Sequence, residues 1–250
     1  AFHMGIVGVA IATVTSQVVS ALIVTGMLLK TREIYVLKIS RIRFDKRMLL
    51  SVLCIGIPAG LESVMYNISN IVIQVFVNNL GTDTVAAWGT LGKIDAIFWM
   101  VINAFAISIT TFVGQNFGAG KYHRMRKSVS VCMIMSMVSS AVMILLMYGG
   151  APWIYRLFTT DSAVITHGVH MSRFLLPSYF VYVIIGILSG ALRGTGKVLV
   201  PMILTCGGVC SLRILWLFTA GQMYPGINTI MLSYPVSWSI TAVLFIVYYF

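Results

Sequence analysis

Two carboxylates, Glu62 and Asp95, stand inside stretches that are otherwise apolar or uncharged. The stretch around Glu62 also carries Ser63, Tyr66, Asn67, Ser69, Asn70 and Gln74, which at 100° per residue fall within an arc of about 160° on one side of a helix. Leu61, Val64, Met65, Ile68, Val72, Val75 and Phe76 take the opposite side. Asp95, Trp99 and Asn103 follow at four-residue steps, and Thr110 continues roughly the same face. A charge near a bilayer centre costs about 2.5–3.5 kcal/mol on insertion scales, so such faces belong on a water-filled cavity or polar partners and not on lipid. Two carboxylates that approach a common low-dielectric cavity can hold a proton or, both ionised, a cation. Glu62 and Asp95 are therefore the candidate groups for ion or proton coupling. Tyr66, Asn67, Asn70, Gln74, Trp99 and Asn103 are the candidate lining of a substrate cavity, where aromatic and acidic groups together suit an organic cation. The bland alternative is structural: Asp95 pairs with Lys93 or Arg213, and Glu62 merely fixes helix packing.

The elements that hold these residues follow from composition. The 250 residues are 59% hydrophobic and 9% charged, against about 25% charged in a soluble domain, which excludes a soluble globular protein. A spanning helix needs about 20 mostly apolar residues. Stretches of that kind occupy approximately 5–29, 48–78, 85–113, 129–149, 170–192, 198–220 and 227–250. The expected fold is all-α, a polytopic transmembrane bundle of about seven spans. If the second span starts near Met48, Glu62 lies about 21 Å into it, and Asp95 lies about 15 Å from the outer end of the third.

Seventeen Lys and Arg against six acids give a formal charge of +11, and their placement says what the excess means. Thirteen bases fall on alternate breaks: Lys30, Arg32, Lys38, Arg41, Arg43, Lys46 and Arg47, then Lys121, Arg124, Arg126 and Lys127, then Arg193 and Lys197. The intervening breaks hold only Arg156 as a strong base, so the first set reads as cytoplasmic: loops 30–47, 114–128 and 193–197. The charge is a topology signal, and no nucleic-acid partner is implied. The long 30–47 break reads as a cytoplasmic linker after one helix and before six more. A lone helix ahead of a six-helix unit is what would remain if a first six-helix lobe had been cut away, and transporters are often built from repeated halves.

Pro58, within Gly56-Ile57-Pro58-Ala59-Gly60, permits a kink, and Gly56 and Gly60 at spacing four favour close helix packing over a moving hinge. Arg213, within about seven residues of the outer end of its span, is expected to snorkel to the headgroups or to form a structural ion pair. His3, His123, His167 and His170 have no partners at ligand spacing, and Cys54, Cys132, Cys206 and Cys210 read as small core residues, so no metal site is expected. HExxH, GxSxG, GxxxxGK[ST] and dinucleotide-binding glycine patterns are absent, and no enzyme is expected.

Two turns carry a recognisable pattern: Thr110-Thr111-Phe112-Val113-Gly114-Gln115-Asn116-Phe117-Gly118-Ala119-Gly120-Lys121 and Ser189-Gly190-Ala191-Leu192-Arg193-Gly194-Thr195-Gly196-Lys197. With Gly56–Ser63, Lys93-Ile94-Asp95, Asn103-Ala104-Phe105 and Leu212–Trp216, they resemble the multidrug and toxic compound extrusion (MATE) family, bacterial type, over nearly the whole chain. The resemblance implies residues 1–29 as the last helix of a first lobe, 30–47 as the basic linker and 48–250 as the second six-helix lobe. It implies a secondary active exporter of organic cations or other drugs, in exchange for protons or sodium ions. No cofactor is expected beyond that coupling ion, and the expected partners are drug-like substrates, membrane lipids and the first lobe of the same polypeptide. Pro58, Gly114, Gln115, Gly118, Gly120, Arg193, Gly194 and Gly196 are its structural motif residues, the glycines permitting tight re-entry between helices.

This sequence departs from the family in one respect. Members with a well-defined cation site carry acids further along the second span and in the span matching 170–192, whereas Glu62 lies about a turn nearer Pro58 and Arg173–Leu192 holds no acid. Asp95 is the better motif match. The competing readings are a lipid-linked precursor flippase, which needs a cationic cavity, and an uncoupled channel or scaffold.

Overall fold

The computed structural model describes residues 5–32, 36–39 and 43–250, and it divides the chain into two units, Ala1–Ser51 and Val52–Phe250. Arg41 and His3 lie outside the described residues. The first unit contains α1 (Gly5–Lys30), whose Ala10–Lys30 stretch is long and apolar enough to cross a bilayer. The Leu37 amide donates to the Leu28 carbonyl of α1 at 2.9 Å. The Asp45 carboxylate accepts the amides of Arg47 (2.8 Å) and Met48 (3.1 Å), which caps the start of α2 (Lys46–Asn78).

The second unit holds most of α2, then α3 (Thr82–Gly118), α4 (Tyr122–Arg156), α5 (Ser162–Leu175), α6 (Tyr179–Gly194), α7 (Leu199–Leu204), α8 (Leu212–Met223) and α9 (Ile227–Tyr249). A 3₁₀ turn over Leu176–Ser178 contains Pro177 and joins α5 to α6 into one span, and a π-helical stretch, Thr205–Ser211, joins α7 to α8. Seven helical stretches among the described residues are long and apolar enough to cross a membrane, and there is no strand among them. The chain is a multi-pass membrane protein. The fifth span begins at Ser162, eight residues before the sequence expectation, because the Asp161 side chain accepts the Ala163 amide at 2.9 Å and starts the helix in polar sequence.

α3 and α6 form the centre of this unit. Phe98, Ile102, Ile109 and Val113 of α3 pack with Val183, Ile187 and Ala191 of α6 and with Met231, Trp238 and Phe245 of α9. Gly190 and Gly194 let α6 lie directly on α3: a Cβ at Gly190 would stand 2.7 Å from the Ala106 carbonyl oxygen, and one at Gly194 would stand 2.6 Å from that of Thr110. The Thr110 hydroxyl reaches across this contact to the Gly190 carbonyl at 2.9 Å. A Cβ at Gly114 would stand 3.3 Å from the Gly194 carbonyl oxygen. Gly114 and Gly194 are thus packing glycines within helices and not turn glycines. The turn role belongs to Gly120 (φ 68°) and Gly196 (φ 84°), in the left-handed region that other residues adopt at a cost. Gly118 closes α3, and Gln115 is an exposed residue whose carbonyl accepts the Ala119 amide.

Backbone oxygens cannot retreat as a flexible side chain can, so Gly194→Val is expected to destabilise the bundle by about 1–3 kcal/mol through overpacking. Gly118→Ala, with open space around its Cβ, should change little. Thermal unfolding of the two variants, followed by retention of a monodisperse elution peak, checks the contrast.

α2 runs as one helix through Pro58, which is buried. No neighbour lies within 4 Å of a Cβ placed at Gly56 or Gly60, so the close helix packing expected of this pair is not made among the described residues.

Candidate functional site

α3 positions two cavities that follow one another along its length. The first, of about 400 Å³, is lined from α3 by Trp88, Leu91, Gly92, Asp95, Trp99 and Asn103, and the second, of about 300 Å³, by Ile102, Asn103, Ala106, Ile107, Thr110 and Thr111. The four-residue stripe Asp95, Trp99, Asn103 and the continuing Thr110 therefore all reach one or other cavity. Asn103 and Tyr182 border both.

Asp95 is 7% exposed. One carboxylate oxygen accepts a hydrogen bond from the Tyr179 hydroxyl, and the other has no hydrogen-bond partner among the described residues. Tyr179 is the first residue of α6, directly after the Pro177 turn, so the break in this span is what aims the phenol at α3. Tyr179, Tyr182, Tyr234 and Trp238 enclose the cavity with Trp99, whose ring centroid lies 4.7 Å from that of Tyr182 and 5.4 Å from that of Tyr179. Tyr66 of α2 donates from its hydroxyl to that of Tyr182 at 3.3 Å.

Arg213 also lines this cavity, and its position differs from the sequence expectation. It is 1% exposed and lies over the Tyr234 ring at 3.9 Å, with Trp238 at 5.7 Å, so it does not snorkel to the surface. No carboxylate lies within 4 Å of it among the described residues, and its Nε and Nη2 have no hydrogen-bond acceptor there. The aromatic wall of α9 holds this cation through its rings. The π-helical stretch just before α8 places it: Gly208 gives room to Thr241 of α9, whose Oγ1 would be 2.2 Å from a Cβ at that position.

Glu62 lies on the second cavity, apart from Asp95. Both of its oxygens accept from Nη2 of Arg193 at 2.7 Å, with the Glu62 side chain 13% and the Arg193 side chain 36% exposed. Arg193 belongs to the last turn of α6, so the Glu62 carboxylate sits toward the end of that span. The shared site expected for the two carboxylates is replaced by two separate cavities, each holding one acid and one arginine.

The polar face of α2 is narrower in use than in sequence. Glu62, Tyr66 and Asn70, spaced by four, reach the cavities. Asn67 instead donates to the Ser63 carbonyl at 2.8 Å, and Gln74 donates to the Asn78 side chain at 2.7 Å, and neither lines either of these two cavities. Each is satisfied within its own helix. Of the residues expected to line a cavity, Tyr66, Asn70, Trp99 and Asn103 border the first one, together with Tyr179, Tyr182, Arg213, Tyr234 and Trp238, which the sequence did not point to as lining.

The chain resembles known membrane proteins in sequence and in fold. Residues 58–219 match the family MatE. The chain is 25% identical over 250 residues to the probable multidrug resistance protein YoeA of Bacillus subtilis (strain 168), covering 98% of this chain and 54% of that protein. It is 21% identical over 247 residues to the multidrug export protein MepA of Staphylococcus saprophyticus, covering 93% of this chain and 54% of that protein. The chain thus spans about half the length of the curated relatives it matches. A solved structure of the outward-facing conformation of a multidrug resistance MATE family transporter of the MOP superfamily superposes with a TM-score of 0.88 at 18% identity, covering 98% of this chain and 55% of that one. That likeness establishes a common fold, and the sequence match places the chain in the MatE family.

Proposed function

We propose that residues 1–29, 30–47 and 48–250 are the last helix of a first lobe, a cytoplasmic linker and the second lobe of a secondary active exporter, which expels drug-like small molecules in exchange for protons or sodium ions by alternating access. The observation that carries this reading is Asp95, a carboxyl group 7% exposed on an aromatic cavity inside a membrane span, with one oxygen held by Tyr179 and the other unpartnered. An acid in that setting favours a proton or cation at its free oxygen. The cavity's tyrosines and tryptophans offer π-faces to a planar or cationic ligand. Asp95 is the coupling group: ion and ligand compete for it, so binding one releases the other. Glu62 becomes a second coupling group only in a state in which Arg193 has let go. No cofactor takes part. The export of multidrug substrates is what the relatives' names say of them, and it supports the reading here.

Arg213 bears on the flippase alternative. It is one base balanced by one acid, so the chamber is not the cationic one that a pyrophosphate headgroup would need. The proposal is tested in cells expressing the complete polypeptide and loaded with ethidium. Efflux should be sustained by an imposed gradient of protons or of sodium and should stop when that gradient is collapsed. Efflux that follows neither gradient contradicts it.

A further inference from the structure

On the side of α3 turned toward α4, away from both cavities, the two helices leave a groove of about 520 Å³. Its walls are apolar: Phe105 and Phe112 from α3, Val131 and Met135 from α4, with Phe112 40%, Val131 45% and Met135 55% exposed. Arg124 and Lys127, in the first turns of α4, close one end. From Arg124 to Met135 the groove follows α4 for about 16 Å at 1.5 Å per residue, from the helix end into the apolar part of the span. Both bases are exposed, and no carboxylate lies within 4 Å of either among the described residues. The hydroxyls that border the groove are already used, Ser108 donating to the Ala104 carbonyl (2.7 Å) and Ser128 to that of Met125 (2.7 Å).

From this pairing we infer that the α3/α4 groove is a binding site for an anionic phospholipid, whose acyl chain lies along the apolar walls and whose phosphate meets Arg124 and Lys127. The charge pattern selects the occupant. An apolar groove alone would accept any acyl chain, but two unneutralised bases at its headgroup end favour a lipid with net negative charge over a zwitterionic one. Their place in the basic run that opens α4 gives the site its leaflet, since such basic ends of spans meet the negative potential of anionic lipids at the cytoplasmic surface. The groove shares no residue with either cavity, so the site stands independently of the transport proposal.

The test is native mass spectrometry of the complete polypeptide in detergent, offered phosphatidylglycerol and phosphatidylcholine of matched acyl chains in equal amounts. The protein should retain phosphatidylglycerol roughly five- to thirtyfold over phosphatidylcholine, the range that two interfacial bases can give. Arg124→Gln with Lys127→Gln should bring the ratio to near parity while elution stays monodisperse, because both positions are exposed. Lys46→Gln with Arg47→Gln, an equal loss of charge at the start of α2, should leave the preference intact. Glycerol phosphate, a headgroup without chains, should fail to displace the lipid. Equal retention of the two lipids, a preference that survives the Arg124/Lys127 change, an equal loss in the Lys46/Arg47 control, or full displacement by glycerol phosphate would each overturn the site.

Discussion

Asp95→Asn is expected to reduce gradient-dependent efflux to the background of cells without the transporter, while the protein still reaches the membrane at normal levels. The amide keeps the shape of the carboxyl group and can still accept from the Tyr179 hydroxyl. It cannot take up or release a proton, and it has no charge to hold a cation. A purely structural Asp95 would behave differently: the isosteric change would retain most activity, and its cost would appear in thermal stability. Tyr179→Phe separates the two further. It removes the hydroxyl donor and keeps the ring that stacks at 4.8 Å from Phe98, so packing is preserved and only the hold on Asp95 is lost. Partial efflux in Tyr179→Phe beside none in Asp95→Asn is the expected order, read as initial rates of ethidium loss.

The second large effect concerns Glu62 and Arg193. Glu62→Gln leaves the Arg193 guanidinium without its only close carboxylate among the described residues. The expected cost is about 1–3 kcal/mol, below the 3–5 of a fully buried pair because the Arg193 side chain is 36% exposed and partly solvated. Arg193→Gln strands Glu62, 13% exposed, and should cost at least as much. Exchange of the two, Glu62→Arg with Arg193→Glu, should recover a good part of the loss if the interaction is the ion pair itself. A double-mutant cycle in thermal unfolding reads this coupling. Additive effects, with no recovery in the exchange, would show that the two side chains act separately.

Most of the fold was legible because bilayer spans are written in runs of apolar residues, and the structure places a long helix on each of the seven. What lay outside that signal was the local chemistry of helix ends. Asp161 starts a helix in polar sequence, and Pro177 and Thr205–Ser211 change the winding inside single spans. The site was half legible. The stripe Asp95, Trp99, Asn103 lies on one helix, where spacing alone decides the face. Tyr179, Tyr182, Tyr234 and Trp238 come from two other spans, and the sequence sign of them is an aromatic spacing of three on the first and four on the second. From the sequence, Arg213 reads as a residue that snorkels to the headgroups or forms a structural ion pair, because it lies within about seven residues of its helix end. What buries it is the aromatic face of α9, and only packing could show that. Glu62 and Arg193 were each singled out for separate reasons, yet nothing in the sequence says that α2 and α6 bring them together. Asn67 and Gln74 share the sequence face of Glu62, but in the structure their amides donate within their own helix, and they border neither of the two cavities on α3.

The central claim is that ligand and coupling ion exclude each other at Asp95. It is tested most directly by following ion release from the complete polypeptide, purified in detergent, as ethidium is added, with a pH-sensitive dye for protons and a sodium-selective electrode for sodium. The account predicts that wild-type protein releases one of the two ions in proportion to ligand bound, and that Asp95→Asn binds without release. Ligand binding with no ion release from the wild type, or equal release from Asp95→Asn, would contradict it.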